Sequence, residues 1–155
     1  MTIHDFAHWR DVPAGLWRWP NFSPEEIACR SDGTIRVNEA ALDRLQALRD
    51  RLARPIIVHS AYRSPDYNRK VGGAPRSQHL LGAAFDISMA NHDPHAFEAA
   101  AREAGFTGFG YYPPRTSCTS TSAPCANGAS GFPKGAAVSP RSLPALARAS
   151  PTAAP

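Results

Sequence analysis

Residues 77–86 read Ser-Gln-His-Leu-Leu-Gly-Ala-Ala-Phe-Asp, and this stretch decides the expected fold and chemistry of the chain. It separates the imidazole of His79 from the carboxylate of Asp86 by seven positions, with the small residues Gly82 and Ala84 between them, where a strand must approach a metal closely. Strand alternation places Ala84 and Asp86 on one face. A catalytic zinc site takes three protein ligands and a water. His79 and Asp86 supply two, although an ordinary strand with one acidic residue is the alternative.

The composition changes near residue 112. Residues 1–112 carry thirteen of the fourteen aromatic residues and all thirteen acidic residues, whereas 113–155 hold one aromatic residue and eight of the fifteen prolines. The net charge of +4 belongs to four scattered basic residues in 113–155. Because nucleic-acid footprints cluster basic residues on a folded face, we expect no nucleic-acid partner. We predict a domain over 1–112, with an aromatic N-terminal arm over 1–21, and a disordered tail over 113–155.

The sequence lacks the patterns of disulfide-stabilised, CxxC metal-binding, membrane-spanning and secreted proteins. The three cysteines, at positions 29, 118 and 125, form neither a disulfide framework nor a CxxC metal pattern. No apolar run is long enough to span a membrane, and the N-terminus lacks the basic start and apolar stretch of a signal peptide. As written, we expect a monomer that begins in the cytoplasm and has no membrane segment.

Local signals predict an α+β domain. Ser23, followed by Pro24 and then Glu26, has the pattern of a capping box at a helix start. Asn38 precedes leucines at helical spacing, and Asp93 precedes a third helix. Short apolar runs predict strands over 56–58, 83–89 and 108–112.

Three stretches together resemble a known family. Residues 60–65 (Ser-Ala-Tyr-Arg-Ser-Pro), 77–86 and 108–113 (Gly-Phe-Gly-Tyr-Tyr-Pro) resemble the zinc D-Ala-D-Ala carboxypeptidases and related peptidoglycan hydrolases of the lysostaphin/hedgehog-like metallopeptidases. The resemblance runs from about residue 21 to residue 113. It implies a small antiparallel sheet flanked by helices in a single domain, a Zn²⁺ cofactor, and peptidoglycan peptides as the partner.

The resemblance also implies roles for individual residues. His79 and Asp86 would be zinc ligands, and Ser77 would hydrogen-bond the substrate backbone. Arg63 would bind a carboxylate or carbonyl oxygen of the substrate, a task suited to its planar, permanently charged guanidinium. The remaining histidines are interpreted as ordinary polar residues, namely His4, His8, His59, His92 and His95.

The chain departs from the family after Tyr112. The family closes its site with one more strand, which carries a His as the third zinc ligand and lies close to the general acid/base. No His follows His95 in this sequence. We therefore predict that the last catalytic strand is missing, that the acid/base position is lost with it, that a sheet edge is exposed, and that activity is low or absent.

The genetic code suggests a cause for this departure. If each Ser is encoded by TCN, the codons for Thr116–Pro124, read one frame over, permit Phe or an apolar residue, an apolar residue, His or Tyr, an apolar residue, and then Asp, His, Asn or Tyr. A codon for an apolar residue follows, and then codons that allow Gly and Pro. This reading permits the pattern of the family's missing strand. We hypothesise that the residues from about Pro114 onward are a frameshift product; a natural disordered tail is the alternative.

The function predicted from these residues is zinc-dependent hydrolysis of peptidoglycan stem peptides. It would be of the D-Ala-D-Ala carboxypeptidase or endopeptidase type, and impaired in this chain. One alternative is a non-catalytic module that binds wall peptide without cutting it. A phage-type lysis enzyme is a third possibility, because release by a holin would explain the missing signal peptide.

Overall fold

The computed structural model of the chain describes residues 2–112, 116–120 and 129–130, with the backbone alone from residue 111 onward. Strands and helices alternate up to residue 112, and two further strands follow. The strands are β1 (Ile3–Phe6), β2 (Ile35–Asn38), β3 (Val58–Ser60), β4 (Ala84–Ser88), β5 (Gly108–Tyr112), β6 (Thr116–Ser120) and β7 (Ala129–Ser130). The helices are α1 (Pro24–Ile27), α2 (Glu39–Leu52), α3 (Pro65–Lys70) and α4 (Pro94–Glu103).

The larger sheet has the strand order β3-β4-β6-β5-β7, and each neighbouring pair is antiparallel. Strands β1 and β2 form a separate antiparallel ribbon. An α+β domain with a small antiparallel sheet flanked by helices, as the sequence predicts, is therefore confirmed. The first strand of the large sheet begins two residues later than expected, at Val58, and contains an irregularity between Val58 and Ser60.

The predicted helix starts are confirmed by their caps. Ser23 accepts a hydrogen bond from the N–H of Glu26, whose side chain in turn accepts from the N–H of Ser23. Asn38 accepts from the N–H of Ala41 at the start of α2, and Asp93 accepts from the N–H of His95 at the start of α4. These short polar side chains satisfy backbone donors that the first helical turn leaves open. In the described part of the chain, no helix is both long and apolar enough to cross a membrane.

The core lies between the sheet and the two longer helices. Leu42, Leu45 and Leu48 of α2 are buried and Leu52 is partly buried, and Phe85 and Ile87 of β4 and Phe97 of α4 are buried in the same core. Trp19 of the aromatic N-terminal arm and the neighbouring Phe22 belong to the same buried cluster. Burial of such side chains is the main favourable term in folding, at about 1.5–3 kcal/mol for each large apolar side chain.

The prediction that the last strand is missing is wrong as far as the backbone is concerned, because the backbone of Thr116–Ser120 forms strand β6. Strand β6 lies between β4 and β5 and pairs with both over its whole length, so the predicted exposed edge of β4 is covered. Ladder hydrogen bonds use backbone groups, and Thr116–Ser120 contains β-branched residues without Pro or Gly, so its unusual composition does not prevent pairing. Apart from β6 and β7, residues 113–155 lie outside the described residues, and disorder there stays a prediction.

His92 gives the fold a pH-dependent contact. Its buried ring packs beside Phe97, and its Nε2–H donates to the carbonyl of Pro55 at 3.0 Å. Burial of the ring lowers the pKa of His92 below its usual value near 6.5, and the charges of Arg54 and Arg49 act in the same direction.

The free energy of unfolding should therefore fall as the pH drops below about 6.5, where His92 is protonated in the unfolded chain before it is protonated in the folded chain. Above that pH His92 is neutral in both the folded and the unfolded chain, and its contribution to the free energy of unfolding is complete. One proton limits the slope to about 1.4 kcal/mol per pH unit. Urea titrations between pH 5 and pH 8 measure it, with His92→Gln as the control because its amide stays neutral. An equal pH slope in the parent and the variant would contradict the assignment.

Candidate metal centre

Two predicted zinc ligands lie together at the edge of the core. His79 is in a 3₁₀ helix over Gln78–Leu81, here called the His79 turn, and Asp86 is in the middle of β4. The Nδ1 of His79 lies 2.6 Å from the carbonyl oxygen of Ala61. A carbonyl oxygen only accepts hydrogen bonds, so Nδ1 carries the proton. This contact turns Nε2 towards Asp86, as in metal sites where a backbone carbonyl orients the ligating imidazole.

The distance between the two donor atoms suits a single metal ion. Nε2 of His79 lies 3.3 Å from Oδ1 of Asp86. Two ligand atoms that are each about 2.0–2.1 Å from a tetrahedral zinc are about 3.3–3.4 Å apart. Both side chains are largely buried, with 6% and 15% of their surface exposed. The residues present therefore fit two corners of a zinc coordination sphere.

Arg63 lies against the same carboxylate. Its Nη2 donates to Oδ2 of Asp86 at 2.6 Å, and its Nε donates to the hydroxyl of Ser60 at 3.1 Å. The backbone N–H of Arg63 donates to the carbonyl of His79 at 3.1 Å. Asp86 thus presents one oxygen to His79 and the other to Arg63. The structure brings the predicted substrate-binding arginine into the site, where it also fixes the orientation of a predicted ligand.

The His79 turn is shaped by the residues at its two ends. At its start, the hydroxyl of Ser77 accepts from the N–H of His79 at 3.3 Å, so Ser77 caps the turn; a contact with substrate stays a prediction. At its end, Gly82 has a φ of 64°, in the left-handed region that favours glycine. A Cβ at Gly82 would meet the carbonyl oxygen of Arg36 at 2.9 Å. Gly82 is therefore required by the turn and by its close approach to strand β2, while the reason expected from the sequence, approach to a metal, stays a prediction.

The ribbon of β1 and β2 holds this turn in place. Arg36 donates to the carbonyl of Leu80 at 3.0 Å, and the side-chain amide of Asn38 donates to the carbonyl of Leu81 at 3.2 Å. Asp5 on β1 binds the guanidinium of Arg36 through both carboxylate oxygens, at 2.7 and 2.9 Å. These hydrogen bonds lower the pKa of Asp5. Sequence reasoning missed all of these positioning residues, because no local pattern links positions 31 to 44 apart in the chain.

Cys29 supports the segment that carries Arg63. Its buried sulfur accepts from the backbone N–H of Ser64 at 3.4 Å and lies 3.5 Å from the hydroxyl of the same residue. Burial by itself raises the pKa of the Cys29 thiol, but hydrogen bonds with Ser31 and Ser64 outweigh it, so the pKa lies below its ordinary value. Ser64 caps α3, so Cys29 connects α3 to the core beside the site. Among the described residues this cysteine is free.

The other histidines do not join the centre. His4 binds Glu39 and His8 caps the short turn over Trp9–Asp11. His92 binds Pro55, and the backbone N–H of His95 donates to Asp93. Among the residues whose side chains are described, no group of three or more His, Cys, Asp or Glu could hold a metal ion. A third ligand is therefore not found in that part of the chain.

Comparison with known proteins decides the family. A family model described as peptidase M15 matches residues 20–118, which is more than half of the 155 residues. The chain belongs to the peptidase M15 family. A relative of this peptidase M15 chain, the zinc D-Ala-D-Ala carboxypeptidase of Streptomyces albus G, is 36% identical over 98 residues. That alignment covers 56% of the chain and 38% of the relative, so the chain spans about two fifths of the relative's length.

The peptidase M15 match includes all the residues of the centre described above. It covers the segment of Arg63, the His79 turn and Asp86, and it ends at Cys118, the middle residue of β6. The sequence resemblance ended five residues earlier, at Pro113. The family assignment made from the three sequence stretches is confirmed.

Proposed function

We propose that this chain is a zinc-dependent peptidase domain that acts on peptidoglycan stem peptides at D-Ala-D-Ala or related D-amino-acid bonds, with activity impaired in this chain. The observation that carries the proposal is the 3.3 Å separation of His79 Nε2 from Asp86 Oδ1, with the imidazole oriented by the carbonyl of Ala61. Membership of the peptidase M15 family and the zinc carboxypeptidase named among its relatives support it.

Each residue of the centre has a distinct task in this proposal. His79 and Asp86 hold the metal, which when bound polarises the scissile carbonyl and acidifies a water. Arg63 binds a substrate carboxylate or carbonyl oxygen, and its contact with Asp86 sets where its guanidinium lies. Ser77 caps the His79 turn, and we propose that its hydroxyl also hydrogen-bonds the substrate backbone. Impairment follows from the absence of a His on β6.

The test compares the chain as given with a restored chain. In the restored chain, the residues after Pro113 are replaced by those that the coding DNA specifies in the shifted reading frame. The substrates are a stem pentapeptide ending in D-Ala-D-Ala and a cross-linked muropeptide, with products followed by mass spectrometry. We expect chelator-sensitive, zinc-dependent cleavage by the restored chain and at least about 100-fold less by the chain as given, because a lost ligand costs more than the 10–100-fold of an outer-shell partner.

Two outcomes would count against parts of this proposal. If the restored chain binds one zinc and cleaves neither substrate, the non-catalytic wall-peptide module is the better description. If the restored chain binds no zinc, the peptidase proposal fails. Sequencing the coding DNA from the Gly110 codon to the Gly128 codon tests the frameshift hypothesis directly: one gained or lost base supports it, and an unchanged frame makes the tail a genuine part of the chain.

A further inference from the structure

We propose that Asp5, acting through Arg36, positions the His79 turn and thereby raises the metal affinity of the centre. This inference rests on the proposed function, because it concerns how the chain holds its metal. Asp5 and the rest of β1 precede residue 20, where the peptidase M15 match begins. The positioning contact therefore starts in a segment outside the family match.

The last carbonyls of the His79 turn are bound by side chains of β2. A helical turn leaves its last carbonyls without partners inside the turn. The carbonyl of Leu80 accepts from Nη1 of Arg36 at 3.0 Å. The carbonyl of Leu81 accepts from the side-chain amide of Asn38 at 3.2 Å. The place of the turn beside the ribbon therefore depends on where these two donors point.

Asp5 fixes the direction of the Arg36 donor. Asp5 is paired directly opposite Arg36 in the β1–β2 ribbon, so both side chains lie on the same face. Its two carboxylate oxygens accept from Nε and Nη2 of Arg36, at 2.7 and 2.9 Å. The guanidinium is planar and rigid, so holding one edge of it sets the direction of the remaining nitrogen. That nitrogen is Nη1, the donor to Leu80.

Arg36 also contacts the segment that carries Arg63. Its Cζ lies 5.8 Å from the centre of the Tyr62 ring, just within the about 6 Å at which a cation is attracted to an aromatic face. Tyr62 precedes Arg63, whose backbone N–H donates to the carbonyl of His79 at 3.1 Å. One side chain of the ribbon thus contacts both segments that bring residues to the centre. We expect a displaced Arg36 to change their relative position.

The exposure of the pair separates positioning from general stabilisation. The side chain of Asp5 is 59% exposed and that of Arg36 is 29% exposed. Exposed ion pairs contribute little to the free energy of unfolding, because water screens them. Substitution of Asp5 should therefore leave the stability of the whole domain almost unchanged. Its effect is expected in the His79 turn.

The first measurement is amide hydrogen exchange, followed by NMR on the full chain without metal. The amides to follow are those of Leu80 and Gly82, which donate to carbonyls of the turn and its cap. We expect exchange at least about 10-fold faster in Arg36→Met, which loses a hydrogen bond from a charged donor. We expect about 2–5-fold in Asp5→Asn, because the pair is exposed. Asp5→Glu retains the carboxylate and should restore most of the protection.

The matched control is Glu39→Gln. Glu39 binds His4 of β1 at 2.8 Å, so it ties the same strand to α2, and the substitution again turns a carboxylate into an amide. Exchange in the His79 turn should equal that of the parent. The double variant Asp5→Asn with Arg36→Met should exchange no faster than Arg36→Met alone, because Asp5 acts through Arg36.

The second measurement is zinc affinity of the same variants, by competition with a chromophoric chelator. We expect Arg36→Met to bind zinc about 10-fold more weakly, at the lower end of the range for outer-shell partners of metal ligands. We expect a loss of about 2–5-fold for Asp5→Asn and none for Glu39→Gln. The physical reason is that a shifted turn changes the 3.3 Å distance between Nε2 of His79 and Oδ1 of Asp86.

The other outcomes separate this inference from the proposed function. Equal exchange in the parent and Asp5→Asn, or equally faster exchange in Glu39→Gln, overturns the assignment of Asp5. If zinc binding depends on His79 but is equal in the parent and Arg36→Met, the contact does not set metal affinity and the inference fails while the zinc site stands. If the parent binds no zinc, the claim about metal affinity fails with the proposed zinc site, and the exchange rates still decide whether Asp5 positions the turn.

Discussion

Replacing His79 with Ala should weaken zinc binding at least about 100-fold, or about 2.7 kcal/mol. The loss of an outer-shell partner of a metal ligand already costs about 10–100-fold in affinity, and His79 is proposed as a direct ligand. Its ring is held by the carbonyl of Ala61 with Nε2 3.3 Å from Oδ1 of Asp86, so the substitution removes one of the two proposed donor atoms. Competition of the chain with a chromophoric zinc chelator measures the change.

The matched control for this substitution is His59→Ala. His59 is an exposed imidazole on β3, the strand next to Asp86, and has no place in the proposed centre. Its removal should leave zinc affinity within about twofold of the parent, since it contacts no proposed ligand. Circular dichroism without metal establishes that both variants fold. Equal zinc affinity in the parent and a folded His79→Ala variant would remove His79 from the site.

Replacing Phe85 with Ala should lower the free energy of unfolding by about 3–5 kcal/mol. Phe85 is fully buried in β4 and meets Phe106 edge-to-face, with ring centroids 6.1 Å apart. Its removal leaves a cavity in the core layer directly beneath the strand that carries Asp86. Because small domains are stable by about 5–15 kcal/mol, this is a large fraction of the total. Urea titration of the metal-free variants measures it.

Phe85→Leu is the control that separates lost volume from lost strand structure. It retains most of the buried apolar volume and should cost under about 1.5 kcal/mol. Folded Phe85→Leu should also bind zinc like the parent, since Phe85 and Asp86 lie on opposite faces of β4. A loss below about 1 kcal/mol for Phe85→Ala would show that this position is not part of a packed core.

Short sequence patterns were sufficient to predict much of the fold. Ser23, Asn38 and Asp93 begin their helices as predicted, because a cap needs only a short polar side chain and the three residues that follow it. Strand geometry, which has a period of two residues, puts the fully buried Phe85 on the face of β4 opposite to Asp86, whose carboxylate contacts Arg63 and His79.

Two features of the site could not be predicted from the sequence and became visible only in the folded structure. The carbonyl of Ala61 orients His79 from 18 positions away, and backbone groups are the same in every residue, so the sequence carries no mark of this contact. Strand β6 was missed because its composition resembles that of a tail, whereas pairing with β4 and β5 depends on backbone groups and on two available strand edges.

By itself the sequence determined the peptidase M15 family and the helix starts, and it predicted two ligands of a zinc centre, since each depends on residue types at short, regular spacing. The tertiary structure alone decided that Arg63 binds Asp86, that Arg36 holds the His79 turn, and that Cys118 stands opposite Asp86. These contacts join residues 23 to 44 positions apart. Their geometry depends on how strands pair and turns pack, and no local pattern of side chains encodes that.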